Sequence, residues 1–131
     1  MDVGSAIRSK KAEVLSVGPD DSVQALAGIL HENRLGALAV VDGGGGIVGM
    51  ISERDLIRGL VENGAGLVKK NVRDLMTADV IACKATDSLA DVKAMMSVGH
   101  FRHLPVIEDS ELVGIITLRD VLDNMLEIPT T

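Results

Sequence analysis

Apolar residues recur along the chain in short runs and helical stripes, separated by turn signals. Residues 13–17 predict a short strand, which ends at the turn beginning with Gly18-Pro19. Apolar residues at positions 23, 26, 27 and 30 follow the spacing of one helical face and predict a helix that stops near Asn33. The uninterrupted apolar run at 37–41 predicts a strand that is covered on both faces.

A glycine-rich turn at residues 42–46 follows that strand. A phosphate-binding loop is one interpretation of such a cluster, but no Gly-Lys-Ser/Thr ending and no helix follow it. A hairpin turn is therefore favoured, with the return strand at 47–51. Ser52 is then expected to cap a helix. The buried face of that helix is predicted to contain Leu56, Ile57, Leu60 and Val61.

The rest of the chain repeats this pattern. Val80-Ile81 matches Val14-Leu15 at a displacement of 66 residues, and the stretch from Gly114 matches the stretch from Gly49 at a displacement of 65. The change of one residue falls in the shorter second hairpin turn, as expected for a duplicated unit. We therefore predict two repeats, at 8–63 and 72–127, joined by a linker at 64–71. Each repeat has the order strand, helix, strand, strand, helix.

Neither repeat is expected to be stable alone, because a unit of about 60 residues buries only ~60% of its surface. Two repeats packed face to face solve this problem, and they are expected to be related by approximate two-fold symmetry and to enclose a cleft. Residues 1–12 predict no more than a flexible or briefly helical lead-in.

Composition narrows the functions that such a fold can serve. Apolar residues make up 47% of the chain but aromatic residues only 1%, with Phe101 the sole example, and the formal net charge is −6. Single-stranded nucleic acids stack on aromatic side chains and duplexes need a basic face, so a nucleic-acid partner is disfavoured. The single Cys83 excludes an internal disulfide and is expected to be a small buried residue. The lone cysteine favours a reducing, cytoplasmic setting. No apolar run approaches the roughly 18 residues of a membrane span, so no membrane partner is expected.

The candidate chemistry lies where the last strand of each repeat meets a helix. The pattern Gly-x-x-Ser/Thr-x-x-Asp places Ser52 and Asp55 at the first junction and Thr117 and Asp120 at the second. Free backbone N–H groups, a hydroxyl and a carboxylate together suit a phosphate and ribose hydroxyls. A capping box is the structural alternative, and the two interpretations are compatible because a capping hydroxyl can also donate to a bound phosphate.

The duplicated unit with this motif resembles the cystathionine-β-synthase (CBS) domain pair, or Bateman module. Residues 72–77 resemble the segment that opens many such domains, and residues 102–106 resemble the family's second strand. The resemblance implies an α/β (α+β) fold of two tandem β-α-β-β-α repeats. It also implies binding of adenosine-containing ligands such as AMP, ATP, NAD(H) or S-adenosylmethionine, in a sensor and not a catalyst.

Transferred by position, the family's site implies ribose contacts at Asp120 and Asp55 and phosphate contacts at Thr117 and Ser52. The base would lie against Val14 and Leu15 in the Asp120 site, and against Val80 and Ile81 in the Asp55 site. An acidic protein needs local cations to hold a phosphate. The candidates are Arg54, Arg102, His103 and Arg119, and Lys10 and Thr77 complete the predicted set.

The two halves are not equivalent in charge. Arg102-His103 of the second repeat aligns with Gly36-Ala37 of the first. Phosphate contact is one interpretation of the charged pair, and a surface or dimer contact is the alternative. The small pair permits close approach of a ligand, and a tight strand start explains it equally well. We therefore expect the two pockets to differ in affinity or in ligand.

The predicted function is a regulatory module that senses an adenine nucleotide, with AMP or NAD(H) favoured and ATP or ADP possible. It would signal through a homodimer, with residues 56–61 and 121–126 as contact faces, or through a regulated partner protein. A structural dimerisation module with empty pockets is the alternative. An enzyme is disfavoured, because the sequence contains no nucleophile with a base at a recognisable spacing, no metal-site motif and no catalytic cofactor fingerprint.

Overall fold

A computed structural model describes residues 1–10 and 14–125, within which six α-helices and five strands form. In chain order the elements are α1 (Val3–Lys10), β1 (Ser16–Val17), α2 (Val23–Asn33), β2 (Ala37–Val41), β3 (Ile47–Ser52), α3 (Glu53–Asn63), α4 (Val72–Leu75), α5 (Leu89–Gly99), β4 (His103–Glu108), β5 (Glu111–Thr117) and α6 (Leu118–Met125). A 3₁₀ helix, Gly64–Lys69, lies between α3 and α4.

The strands form two small sheets that repeat one hairpin geometry. The first sheet has the order β1-β2-β3, with β1 parallel to β2 and β2 antiparallel to β3. The second sheet is the antiparallel hairpin β4-β5. The register shifts between Val40 and Val41 in one hairpin and between Val106 and Ile107 in the other. Because these positions are equivalent in the two repeats, the duplication extends to the irregularity of the ladder.

The chain divides into two compact units. The central unit is Leu15–Val80, and the terminal unit is Met1–Val14 together with Ile81–Thr131. The helix that precedes the first repeat therefore belongs with the strands and helices of the second. The segment that opens the second repeat likewise belongs with the first.

In the terminal unit, α1 is part of the core. Val3 and Ala6 are almost completely buried and pack in one cluster with Leu104, Val106 and Ile116 of the hairpin. The helix begins with backbone hydrogen bonds from Val3 and Gly4 to the carbonyl oxygens of Asp87 and Ala85, at 2.9 and 2.8 Å. The expected brief helix is confirmed, but a flexible lead-in is wrong for Val3–Lys10, since burial of its apolar face fixes it.

In the central unit, α4 has the same role. Val72 and Leu75 pack in one cluster with Leu26, Leu38 and Ile51. The residues before α4 were expected to form a loop-like linker, but Gly64–Lys69 forms a 3₁₀ helix. Its Leu67 packs against the same core, which gives this short segment an apolar anchor.

The first strand of each repeat is shorter than its sequence predicts. In the first repeat only Ser16–Val17 is a strand, and Val14 and Leu15 precede it. In the second repeat Val80 and Ile81 lie outside any strand, and a single parallel bridge joins Cys83 to Val106. Two hydrogen bonds form that bridge, at 3.0 Å each, from Cys83 N to Pro105 O and from Ile107 N to Cys83 O. The predicted helix at 23–33, the strand at 37–41 and the hairpin turn are confirmed.

The predicted buried face of α3 is wrong for three of its four residues, since of the four only Leu56 packs against the core. Ile57, Leu60 and Val61 are 63%, 57% and 81% exposed, whereas Asp55 and Gly59 face the core. A Cβ atom at Gly59 would lie 2.9 Å from side-chain carbons of Leu67 and of Leu75. The helix packs on Leu67 and Leu75 through Gly59, because a residue without a side chain lets them come this close to the helix backbone.

Cys83 is buried, as predicted. Burial, reinforced by the negative charge of Asp87, raises the pKa of its thiol to about 11. The thiol is therefore protonated at neutral pH and is a poor nucleophile. Across residues 1–10 and 14–125, every helix is too short or too polar to cross a membrane.

Gly49 tests the packing of the α4 segment on β3. A Cβ atom there would lie 2.7 Å from Met76 Sδ and 2.9 Å from the backbone oxygen of Thr77. We expect Gly49→Ala to lower the free energy of unfolding by about 1–3 kcal/mol, as overpacking does, in urea denaturation. Gly28→Ala, in α2 where a Cβ meets nothing within 4 Å, is the matched control and should be neutral or stabilising. Equal losses in the two variants would contradict the packing described here.

Candidate functional site

The junction of β5 and α6 holds the second copy of the motif in a reciprocal cap. The backbone N–H of Thr117 donates to Asp120 Oδ2 at 2.9 Å, and the N–H of Asp120 donates to Thr117 Oγ1 at 3.0 Å. The structure therefore contains a capping box at this junction. It fixes a hydroxyl and a carboxylate side by side at a helix N-terminus, where an anion is favoured.

Lys10 brings a positive charge to this junction from the end of α1. Its Nζ donates to Asp120 Oδ2 and to the backbone oxygen of Ile115, each at 2.8 Å. The side chains of Lys10 and Asp120 are 30% and 20% exposed, so the ion pair is partly open to solvent. Lysine, carboxylate and hydroxyl thus meet at one place although Lys10 and Asp120 are 110 residues apart in sequence.

The predicted cations of the second repeat divide into two groups. Arg102 and His103 lie next to the junction: the N–H of Leu118 donates to Arg102 O at 2.8 Å, and His103 is directly opposite Thr117 in the ladder. Opposite residues of a ladder share a face of the sheet. Arg119 is different, since its side chain is 90% exposed and lies 3.7 Å from a carboxylate oxygen of Asp123 on the same helix.

The first copy of the motif has the same backbone geometry. The N–H of Ser52 donates to Asp55 Oδ2 at 2.8 Å, and the Ser52 hydroxyl donates to the same oxygen at 3.2 Å. Gly36 and Ala37 border this junction, because Glu53 N donates to Gly36 O at 2.9 Å and Ala37 is opposite Ser52 in the ladder.

Thr77 and Arg54 complete the central unit's candidates. Thr77 exchanges two backbone hydrogen bonds with Met50 of β3, at 2.8 and 2.9 Å, so it extends the edge of the hairpin. Arg54 is exposed on the first turn of α3.

Sequence reasoning missed Arg58. Its Nη1 lies 2.9 Å from Asp55 Oδ1, and its Nη2 donates to the backbone oxygen of Leu75 at 2.9 Å. Within residues 1–10 and 14–125, Asp55 is the one charged residue that is buried, with 7% exposed. The available signal was the spacing, because an arginine three residues after an aspartate on a helix lies on the same face.

The predicted base-contacting residues are divided between the units. Val14 is in the same unit as Asp120, and Val80 is in the same unit as Asp55, whereas Leu15 and Ile81 fall in the opposite ones. Val14 and Ile81 are 46% and 52% exposed, which is high for aliphatic side chains of this size. Their contact with a base stays a prediction.

Comparison with known proteins decides the family. The model of the CBS domain matches the chain twice, at residues 4–62 and 72–127. The chain belongs to the CBS domain family. The resemblance carried by the duplicated motif is thereby confirmed, as is the mixed α and β fold of two tandem CBS repeats.

Two curated relatives are longer than this chain. An inosine-5'-monophosphate dehydrogenase from Methanocaldococcus jannaschii is 32% identical over 84% of the chain, which spans 21% of that enzyme and matches only its CBS part. An uncharacterized 33.4 kDa protein from Thermofilum pendens is 35% identical over 92% of the chain, which spans 41% of it. The chain thus covers less than half the length of each of these relatives, and the match to the dehydrogenase does not indicate an enzyme.

Solved structures resemble the whole chain. A CBS-domain containing protein from Agrobacterium tumefaciens is 34% identical with a TM-score of 0.91, and the match covers 95% of this chain and 93% of that one. CBSX2 in complex with AMP is 29% identical with a TM-score of 0.82, and the match covers 98% of each chain. The CBS domain pair of protein MJ0100, in complex with 5'-methylthioadenosine and S-adenosyl-L-methionine, is 25% identical with a TM-score of 0.85, covering 95% of each chain.

Proposed function

We propose that this CBS pair is a regulatory module that binds an adenosine-containing nucleotide at the Thr117–Asp120 junction. The observation that carries the proposal is the convergence of Lys10, Thr117 and Asp120, each from a different element, at a helix N-terminus. Related CBS structures that hold AMP, or 5'-methylthioadenosine and S-adenosyl-L-methionine, support the ligand class.

Each group at the junction matches one part of a nucleotide. The carboxylate of Asp120 accepts hydrogen bonds from ribose hydroxyls, for which it has the lone pairs. The hydroxyl of Thr117 and the N-terminal N–H groups of α6 favour a phosphate. Lys10 has a flexible stem and three donors, so its ammonium group can turn from the carboxylate to a phosphate while staying close to both.

The charges around the junction favour a phosphorylated ligand. Lys10, Arg102 and His103 lie on elements that meet there, in a protein with a formal net charge of −6. Such local cations hold a phosphate better than a sulfonium compound, which is itself positively charged. AMP and NAD(H) are therefore our preferred ligands, with ATP and ADP next.

The direct test is ligand-induced stabilisation. A nucleotide at 100 times its dissociation constant should raise the free energy of unfolding by about 2.7 kcal/mol. We expect AMP or NAD(H) to do so in the wild type and to lose most of the effect in Asp120→Asn, measured as the difference between melts with and without ligand. Asp109→Asn, an exposed carboxylate in the β4-β5 turn, is the control and should respond like the wild type. Equal stabilisation of Asp120→Asn would place the site elsewhere.

We also propose that two copies of the chain associate through α3 and α6. Exposed apolar residues occupy equivalent positions on the two helices, 65 residues apart: Ile57 matches Leu122, and Leu60 matches Met125. Their exposed fractions range from 40% to 63%. The predicted face extends to residue 126, which lies outside the described residues. Apolar positions shared by both repeats are typical of a surface that is covered in an assembly. A dimer of this kind would offer two nucleotide-sensing chains to a regulated partner protein.

Sedimentation velocity tests this association. We expect a dimer in the wild type and a monomer in Ile57→Glu/Leu60→Glu, because buried charges oppose an apolar contact. Val98→Glu on α5 is the matched control. Val98 is 82% exposed, but it is the one exposed large apolar residue on its helix and so belongs to no apolar face. A dimer that survives the double substitution would show that α3 is not the contact face.

A further inference from the structure

The two motif carboxylates have the same backbone cap but different ionic partners. Both oxygens of Asp55 have partners: Oδ2 accepts hydrogen bonds from the amide and the hydroxyl of Ser52, and Oδ1 forms an ion pair with Arg58 Nη1 at 2.9 Å. Only 10% of the Asp55 side chain is exposed. Both acceptor atoms of this carboxylate are therefore engaged within the protein.

Asp120 is held more loosely. The hydrogen bonds from Thr117 N and Lys10 Nζ both end on Oδ2, and 20% of the side chain is exposed. The residue at the position of Arg58, displaced by 65, is Asp123. Its carboxylate lies 3.7 Å from Arg119, toward the exposed side of α6. The helix of the second repeat thus places an anion where the helix of the first places a cation.

The difference matters for a ribose, whose two hydroxyls need acceptor lone pairs on the carboxylate. At Asp55 a ribose must displace the guanidinium that pairs with Oδ1 and also donates to Leu75 O at 2.9 Å. At Asp120 the ammonium of Lys10, although it also donates to Ile115 O at 2.8 Å, approaches the same Oδ2 as the Thr117 amide, so a ribose hydroxyl can reach Oδ1 without displacing it.

We infer that Arg58 closes the first junction to nucleotides and that Asp123 leaves the second junction open. The residue three positions after the motif aspartate would then determine which half of the pair takes the ligand. This inference rests on the proposed function, since it assigns that nucleotide to one junction.

Titration calorimetry of the whole chain with AMP counts the sites. We expect about one site in the wild type, lost in Asp120→Asn and retained in Asp55→Asn. Arg58→Gln removes the charge but keeps a polar side chain of similar reach, and it should add a second site. The reciprocal change, Asp123→Arg, should weaken the wild-type site about tenfold or more, because an arginine there would compete for the Asp120 carboxylate.

Two controls separate the charge effect from disruption. Asp123→Gln removes the anion without adding a cation and should bind AMP like the wild type. Asp123 is 65% exposed, so Asp123→Arg is expected to fold even if Arg58→Gln does not, and it tests the inference independently.

The contrary results are distinct. Two equal sites in the wild type, or undiminished binding by Asp123→Arg, would overturn the role of Arg58 and Asp123 but leave the nucleotide function intact. If no variant bound AMP, Arg58→Gln included, both the inference and the proposal that AMP is the ligand would be overturned. A parallel titration with NADH separates a wrong choice of nucleotide from a wrong site.

Discussion

Each unit of this protein completes its core with a short helix that is not part of the repeat to which the unit's hairpin belongs. Val3 and Ala6 of α1 fill the core beneath β4 and β5, and Val72 and Leu75 of α4 fill the core beneath β2 and β3. A run of about 50 residues with one hairpin and two helices buries too little surface to be stable by itself. The opening helices are therefore integral parts of the fold and not linkers.

This constraint also brings each opening segment to a motif carboxylate. In the terminal unit the contact is direct, through Lys10 and Asp120. In the central unit the displacement of 69 that matches Val3 with Val72 places Asp79, an acidic residue, at the position of Lys10. There Arg58 supplies the cation, and its second bond goes to Leu75 of the opening segment. The same need, to neutralise a partly buried carboxylate, is met by different residues in the two repeats.

The two solutions differ in what they leave available. Arg58 and Ser52 contact different oxygens of Asp55, whereas Lys10 and Thr117 meet on one oxygen of Asp120, whose side chain is also more exposed than that of Asp55. A duplicated motif that shares the amide-to-carboxylate hydrogen bond can in this way give one structural carboxylate and one that is suited to a ligand. Coupling of a nucleotide to α1 would follow, since Lys10 lies at the end of that helix. A ligand that engages Lys10 in only one arrangement of α1 would shift the population of that arrangement.

Local patterns in the sequence predicted the elements whose causes are local. The α2 stripe, the β2 run and the glycine turn each follow from neighbouring residues, and the duplication followed from a fixed displacement. The face of α3 was predicted wrongly at Ile57, Leu60 and Val61, because every apolar residue on the helix was assumed to be buried. The informative residue was Gly59, whose missing side chain allows the approach of Leu67 and Leu75. The pairing of Lys10 with Asp120 could not be predicted from spacing, because it depends on which unit α1 joins.

A nitrogen-15 amide NMR titration of the full chain with AMP tests most directly whether the nucleotide binds at the Thr117–Asp120 junction. We expect the amides of Thr117 and Asp120, which donate within the cap, to shift at the lowest ligand concentrations, together with that of Lys10. The amides of Ser52 and Asp55 should stay unchanged over the same range. Shifts of similar size and midpoint at Ser52 and Asp55 would contradict this expectation.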